Sequence, residues 1–331
     1  MSLKDKIKGQ LGFGAAPLGN MFRAISEEEA GATVQAAWDE GIRYFDTAPI
    51  YGAGLSESRL GTALSGYDRN AFTLSTKVGR LVSSEEDDQK RSGPFSEGLR
   101  NKILTDYSAD ATLRSIENSL ARLGTDRLDI VFVHDVAIDA HGDEWIEHFN
   151  TARKGAFKVL SRLKEEGVIS AWGLGVNRVE PCEMALDLTE AQPDGFLLAG
   201  RYTLLDHYRP FERLFDKARK ANAEFVIGGP YSSGVLVGGK HFEYAPASNQ
   251  ILEKVRLIQL LADKYKLDIK SAALQFVLAN PLVAAVIPGA SRPSRIAEDV
   301  NALNAHVPPE FWAELRSQGF VAALAPLPKV S

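Results

Sequence analysis

Residues 44 to 52 read YFDTAPIYG. Tyr44 and Phe45 end an apolar, strand-like run, Asp46 puts a carboxylate where that run stops, and Tyr51 follows just past Ala48 and Pro49. Two other runs end in the same way: LSTKVG brings Lys77 and DIVFVHD brings His134. An acid, a phenol, an amine and an imidazole brought to one place make a proton-transfer set. A phenol titrates near ~10, so it is a poor base at neutral pH unless a nearby cation favours the phenolate. Lys77 supplies such a cation, Asp46 supplies the partner a buried lysine needs, and His134 offers a ring nitrogen to hold a substrate oxygen. Singly, each has an ordinary reading: a strand-end cap, a snorkelling surface lysine, a structural histidine satisfied by Asp135, a tyrosine packed on a rim. The functional reading rests on their coincidence at neighbouring strand ends.

The elements that must position them repeat one unit. Strand-like runs LGFGAAPLG, RYFDTAP, FTLSTKVG, LDIVFVHD, ISAWGLGVN, GFLLAGRY, EFVIGGPY and AAVIPGA alternate with amphipathic helical patterns. In SEEEAGATVQAAWDEG, Ser26 with Glu29 reads as a capping box and Gly41 as the stop. In SADATLRSIENSLARLG, Leu113, Ile116, Leu120 and Leu123 recur at helical spacing. Eight strand–helix units predict an α/β fold, a (β/α)8 TIM barrel spanning residues 1–331 as a single domain. A doubly wound open sheet is the runner-up, weakened because the first strand–helix turn lacks a tight G-x-G-x-x-G. Long connections at roughly 80–106, 136–154 and 234–249 all follow strands, which places them as loops at the C-terminal face of a barrel, where sites form.

Composition narrows the partners. The chain has 331 residues, formal net charge -5 and 45% hydrophobic residues, an ordinary globular balance. No apolar run approaches the ~18 residues that span a bilayer, and MSLKDKIKGQ lacks the apolar core of a secretory signal. One cysteine, Cys182, fits a reducing compartment. These features predict a cytoplasmic protein with neither nucleic acid nor membrane as its partner. A small-molecule partner and a monomer or weak homodimer are the accompanying expectations, the latter not read from composition.

The stretches GIRYFDTAPIYGAGLSESRLGTAL, TLSTKVG, LGTDRLDIVFVHD and VIPGASRPSRIAEDV together resemble the aldo-keto reductases. The resemblance implies that Tyr51 is general acid/base, that Lys77 and Asp46 tune it, that His134 orients the substrate, and that no metal is needed. It implies NAD or NADP as cofactor and a carbonyl, alcohol or lactol as substrate. By position, Gly234, Leu236, Pro288, Gly289, Ala290, Arg292, Arg295, Glu298 and Asp299 are its candidate cofactor contacts. The residues add a physical reason at the last helix, whose N-terminal N–H groups and Arg292 and Arg295 favour a phosphate.

The chain also departs from the common pattern. NADPH-preferring members commonly carry lysine at the place of Gly289, which tilts the expectation toward NAD. Of the usual nicotinamide clamp only Asn177 remains as a candidate; Ala199 takes the glutamine place and Gly228 stands near that of a stacking tyrosine. LLAGRYTLLDH and the Gly-rich seventh strand resemble instead the subgroup containing D-threo-aldose (L-fucose) 1-dehydrogenases and pyridoxal 4-dehydrogenase, which implies oxidation of a cyclic hemiacetal to a lactone. Phe22, Trp145 and Tyr231 are candidates for shaping the substrate pocket, along with Tyr51 and His134. General aldehyde or ketone reduction is the neighbouring alternative. A lyase using Lys77 as Schiff-base nucleophile is another, requiring Lys77 without a tight carboxylate partner; a non-catalytic cofactor-sensing subunit is a third.

Overall fold

The computed structural model describes residues 2–87, 94–95 and 97–329. Eight parallel strands form one sheet: β1 Phe13–Gly14, β2 Tyr44–Asp46, β3 Thr73–Val78, β4 Ile130–His134, β5 Ala171–Val176, β6 Gly195–Ala199, β7 Glu224–Gly228 and β8 Val283–Ile287. They pair in chain order. Gly12 N–H donates to Val286 O at 2.9 Å and Gly14 N–H to Pro288 O at 3.0 Å, so the first and last strands meet and no edge is left to cap. This is the (β/α)8 barrel expected from the repeat, with helices between the strands.

Two apolar clusters follow from the two-residue period of a strand. On β4, Val131 and Val133 face the helices with Phe45, Leu74 and Leu160, whereas Ile130 and Phe132 face the barrel interior with Tyr44 and Val226. The same alternation turns Asp46, Ser75 and Lys77 inward. The interior is therefore apolar at its base and polar where the strands end. A short helix, Leu3–Lys6, closes the base with Leu3 and Ile7, and its Ser2–Asp5 capping box is complete.

Ser26 Oγ accepts from Glu29 N–H at 3.0 Å, but the predicted capping box is only half formed. The Glu29 carboxylate turns instead to Arg23. The three long connections all rise from the C-terminal ends of strands. The first contains the hairpin Arg80–Glu86 with Asn101–Thr105, the second the helix Trp145–Lys154, and the third a small hairpin, His241–Phe242 with Ala245–Pro246. Among the described residues, no helix is long and apolar enough to cross a membrane. Cys182 is buried with a free thiol.

Candidate active site

Register brings the strand-end residues together. Asp46 pairs with Ser75 across β2 and β3, Lys77 with Phe132 across β3 and β4, and His134 with Gly175 across β4 and β5. Lys77 is 1% exposed. Its Nζ donates to Asp46 Oδ2 at 2.7 Å and to Thr47 O at 2.8 Å. Ser75 Oγ donates to Asp46 Oδ1 at 2.6 Å, and Tyr44 OH lies 3.1 Å from Ser75 Oγ. Burial raises the Asp46 carboxyl, while Lys77 and Ser75 oppose that rise. Lys77 is thus closely paired with a carboxylate, the arrangement that counts against a free Schiff-base amine.

Tyr51 sits on the turn after β2, and two glycines make its place possible. A Cβ on Gly19 would lie 2.5 Å from Tyr51 C, and one on Gly52, at φ +65°, 2.5 Å from Gly19 O. Only backbone against backbone fits there. Lys77 Nζ lies 4.7 Å from the centroid of the Tyr51 ring, Phe95 stacks on the ring at 5.4 Å, and His134 meets it edge-on at 5.8 Å. Burial holds the Tyr51 hydroxyl well above the ordinary phenol range, and Asp46 and Asp135 push the same way. The expected lowering by Lys77 does not govern this site, because Asp46 matches the ammonium's charge and burial disfavours the phenolate.

His134 is held neutral: burial, then Lys77 and Arg80, lower it well below the usual imidazole range. Its Nδ1 is buried without a hydrogen-bond partner among the described residues. Tyr107 OH donates to His134 O at 2.7 Å, anchoring the strand end from behind. Asp135 follows at φ +53° with its carboxylate 3.6 Å from His134 Nε2, and burial lifts that carboxyl to about 6 against the pull of Arg80.

Above these residues opens a cavity of about 590 Å³. Of the candidates named from sequence, Tyr51, Lys77, His134 and Asn177 line it. Its floor is made of small residues at the ends of β5, β6 and β7 (Gly175, Ala199, Gly200, Gly229), which leaves room for a flat ring such as nicotinamide. Phe22, Trp145 and Tyr231 do not line it. Phe22 takes φ 64° and stacks on His241 at 4.7 Å, Trp145 packs edge-on to Phe149, and Tyr231 OH donates to Asp299 Oδ1 at 2.6 Å. The rim is instead Phe95, Phe242 and Tyr244 with the charged side chains Arg80, Asp135, Asp139, Arg178, Arg201 and Glu243. Asp135, beside His134, is the one of these that sequence alone could have nominated.

The candidate adenine-end residues lie outside this cavity. Pro288, Gly289 and Ala290 follow β8, and Arg292 precedes the helix Pro293–Asn304. Arg292 and Arg295 are exposed, with no ion pair to a described residue, so both remain available to a phosphate. A third cation, Arg23, unforeseen from sequence, donates to Ser291 O at 2.9 Å. Glu298 pairs with Lys270. Asp299 is buried and engaged by Tyr231, which removes it from the open face. Leu236 is packed in the main core and Gly234 has no side chain, so that turn offers a cofactor only its main chain. A Cβ at Gly289 would lie 3.1 Å from Pro17 Cγ, a tight contact that the proline ring would have to yield to.

The profile of the Aldo/keto reductase family matches residues 10–318. A pyridoxal 4-dehydrogenase from Microbacterium luteolum is 37% identical over 94% of this chain and 94% of its own. A D-threo-aldose 1-dehydrogenase from a Pseudomonas species is 34% identical over 96% of this chain and 95% of its own. Among solved structures, an aldo-keto reductase from Bacillus halodurans in its holo form superposes with a TM-score of 0.69 at 27% identity, covering 96% of this chain and 93% of that one.

Proposed function

Given that the chain belongs to the aldo/keto reductase family, we propose that it oxidises a cyclic hemiacetal to a lactone with NAD or NADP, NAD being favoured. The observation that carries this reading is the buried Lys77–Asp46 pair beneath Tyr51, with neutral His134 facing the same cavity. Nicotinamide, when bound on the small-residue floor, supplies the hydride acceptor. Asn177, which also lines the cavity, is suited to hold its amide. The chain's own groups handle the oxygen. His134 donates from a ring nitrogen to the lactol oxygen and fixes its position. Tyr51, as the phenolate, takes the hydroxyl proton as the carbon–oxygen double bond of the lactone forms, while the hydrogen on that carbon leaves with its bonding electron pair as hydride. In the opposite direction the protonated phenol returns the proton. General acid–base catalysis of this kind contributes about 10²–10⁴ in rate, and the fixed dipoles around the oxygen lower the rest of the barrier.

The names of the two relatives support this class, since both are dehydrogenases of compounds that close into hemiacetals. Reduction of NAD⁺ and of NADP⁺ measured with L-fucose, other aldoses, pyridoxal and simple alcohols tests it directly. Lactol substrates should outpace the alcohols, and Tyr51→Phe should lose nearly all turnover while binding cofactor within a few-fold of wild type. Wild-type rates in that variant would refute the mechanism. Turnover of open-chain alcohols alone would refute the lactol assignment.

A further inference from the structure

Asp135 holds a backbone conformation that most residues avoid. Its φ of +53° lies in the left-handed region, which side chain-bearing residues other than Asn and Asp rarely adopt. Neighbours fix it there: its N–H donates to Gly175 O at 2.9 Å and its carbonyl accepts from Ala137 N–H at 2.8 Å. The result is a carboxylate on the wall of the cavity, immediately beside His134.

That carboxylate is the least satisfied one in the cavity wall. Asp139 accepts from Asn177 at 3.3 Å, and Glu243 is ion-paired with Arg201. Asp135 reaches only to 3.6 Å from His134 Nε2 and 3.7 Å from Arg80 Nη1, both too long for hydrogen bonds. An ionised carboxylate has about four acceptor positions, and no described group donates to these. A ligand hydroxyl would fill them.

We propose that Asp135 is a specificity-determining residue that accepts a hydrogen bond from a hydroxyl on the carbon next to the reacting carbon. The site thereby selects polyhydroxy lactols, that is aldoses, over substrates lacking that hydroxyl. This rests on the reading in which His134 holds the oxygen of the reacting carbon. Neighbouring hydroxyls of a sugar lie within hydrogen-bond reach of each other, so an oxygen held at Nε2 brings the next one to the Asp135 carboxylate. Arg80 on the far side keeps Asp135 ionised and is open to the same hydroxyl as a donor. Pyridoxal carries no hydroxyl on the carbon next to its reacting carbon, its phenolic oxygen being one atom further out, so the same contact ranks aldoses above pyridoxal.

The test uses D-ribose and D-arabinose, which differ only at the neighbouring carbon, against 2-deoxy-D-ribose, which lacks that hydroxyl. Wild type should show a kcat/KM for the better pentose about ten- to a hundredfold above the deoxy sugar, the worth of one hydrogen bond to a charged group. Asp135→Asn keeps the shape, tolerates the left-handed backbone and removes the charge. In that variant the ratio should collapse to within a few-fold, with the loss falling on the pentose. Equal losses on pentose and deoxy sugar, or an unchanged ratio, would overturn the proposal. Oxidation of pyridoxal but of no sugar would overturn it too, and if wild type oxidises neither, the lactol reading itself fails. Reduction of lactaldehyde against propanal then decides Asp135 by the same ratio and the same overturning outcome.

Discussion

Lys77 is an amine only 1% exposed, and Asp46 at 2.7 Å is what makes that burial tolerable. Breaking such a pair by removing one partner costs about 3–5 kcal/mol, whereas replacing both with neutral groups of similar shape costs much less. Lys77→Met is therefore expected to lower the urea midpoint sharply, and Asp46→Asn combined with Lys77→Met to regain most of it without regaining activity. The pH profile separates stability from chemistry. Burial, Asp46 and Asp135 already hold the Tyr51 phenol high, so lactol oxidation, which needs the phenolate as its base, should rise with pH. Losing the ammonium 4.7 Å from the ring leaves Asp46 less opposed, and the residual activity of Lys77→Met should shift further alkaline. An unmoved profile would show that the lysine does not tune the phenol. Asp46, Lys77 and His134 were legible in the sequence because strand register alone makes neighbours of strand ends. Phe22, Trp145 and Tyr231 were misplaced because a loop side chain's direction depends on partners far along the chain, such as His241 and Asp299.

The turn after β2 shows how an element aims a residue. Gly52 and Gly124 both take positive φ, 65° and 61°, but a Cβ on Gly124 meets nothing within 4 Å whereas one on Gly52 meets Gly19 O at 2.5 Å. Gly124→Ala should cost about 1 kcal/mol, the backbone penalty alone. Gly52→Ala adds overpacking of about 1–3 kcal/mol and, because Tyr51 is the preceding residue, it should also depress kcat. Thermal unfolding and turnover measured on both variants check this pair. A Gly52→Ala enzyme with the stability and kcat of Gly124→Ala would mean that the contact does not position Tyr51. Sequence patterning found the helices and the barrel strands through their apolar periods. It missed the hairpin Arg80–Glu86 with Asn101–Thr105, whose charged and serine-rich strands carry no such period, although this hairpin contributes Arg80 and Ile103 to the cavity.

For the whole molecule, eight strand–helix units were enough to foresee a barrel, because a parallel sheet of that size closes when its first and last strands meet. The helix Leu3–Lys6 that seals its base was not foreseen: four residues give no readable period, and only the interior they fill explains them. On the proposed reading the cofactor bridges two places, the small-residue floor and the N-terminus of helix Pro293–Asn304, so its binding is expected to stabilise the entire fold. At a hundredfold excess over Kd, binding adds about 2.7 kcal/mol. With unfolding entropy of about 2.1 cal/mol/K per residue over this chain, that is a rise of roughly 4 °C in Tm. NAD should give the larger rise at equal concentration, since Gly289 brings no cation to a 2′-phosphate. Arg292 and Arg295 stand open to either cofactor, through the shared pyrophosphate or through that extra phosphate. Gly289→Lys presses on the Pro17 ring and is expected to lower the Tm of the free protein. The informative quantity is therefore each protein's rise over its own free form. A new charged hydrogen bond tightens NADP about ten- to a hundredfold, which should enlarge the NADP-induced rise by roughly 2–4 °C and leave that with NAD nearly unchanged. A wild type that binds NADP tenfold more tightly than NAD would sink the NAD preference, and equal gains with both cofactors in the variant would place the lysine away from the 2′-phosphate.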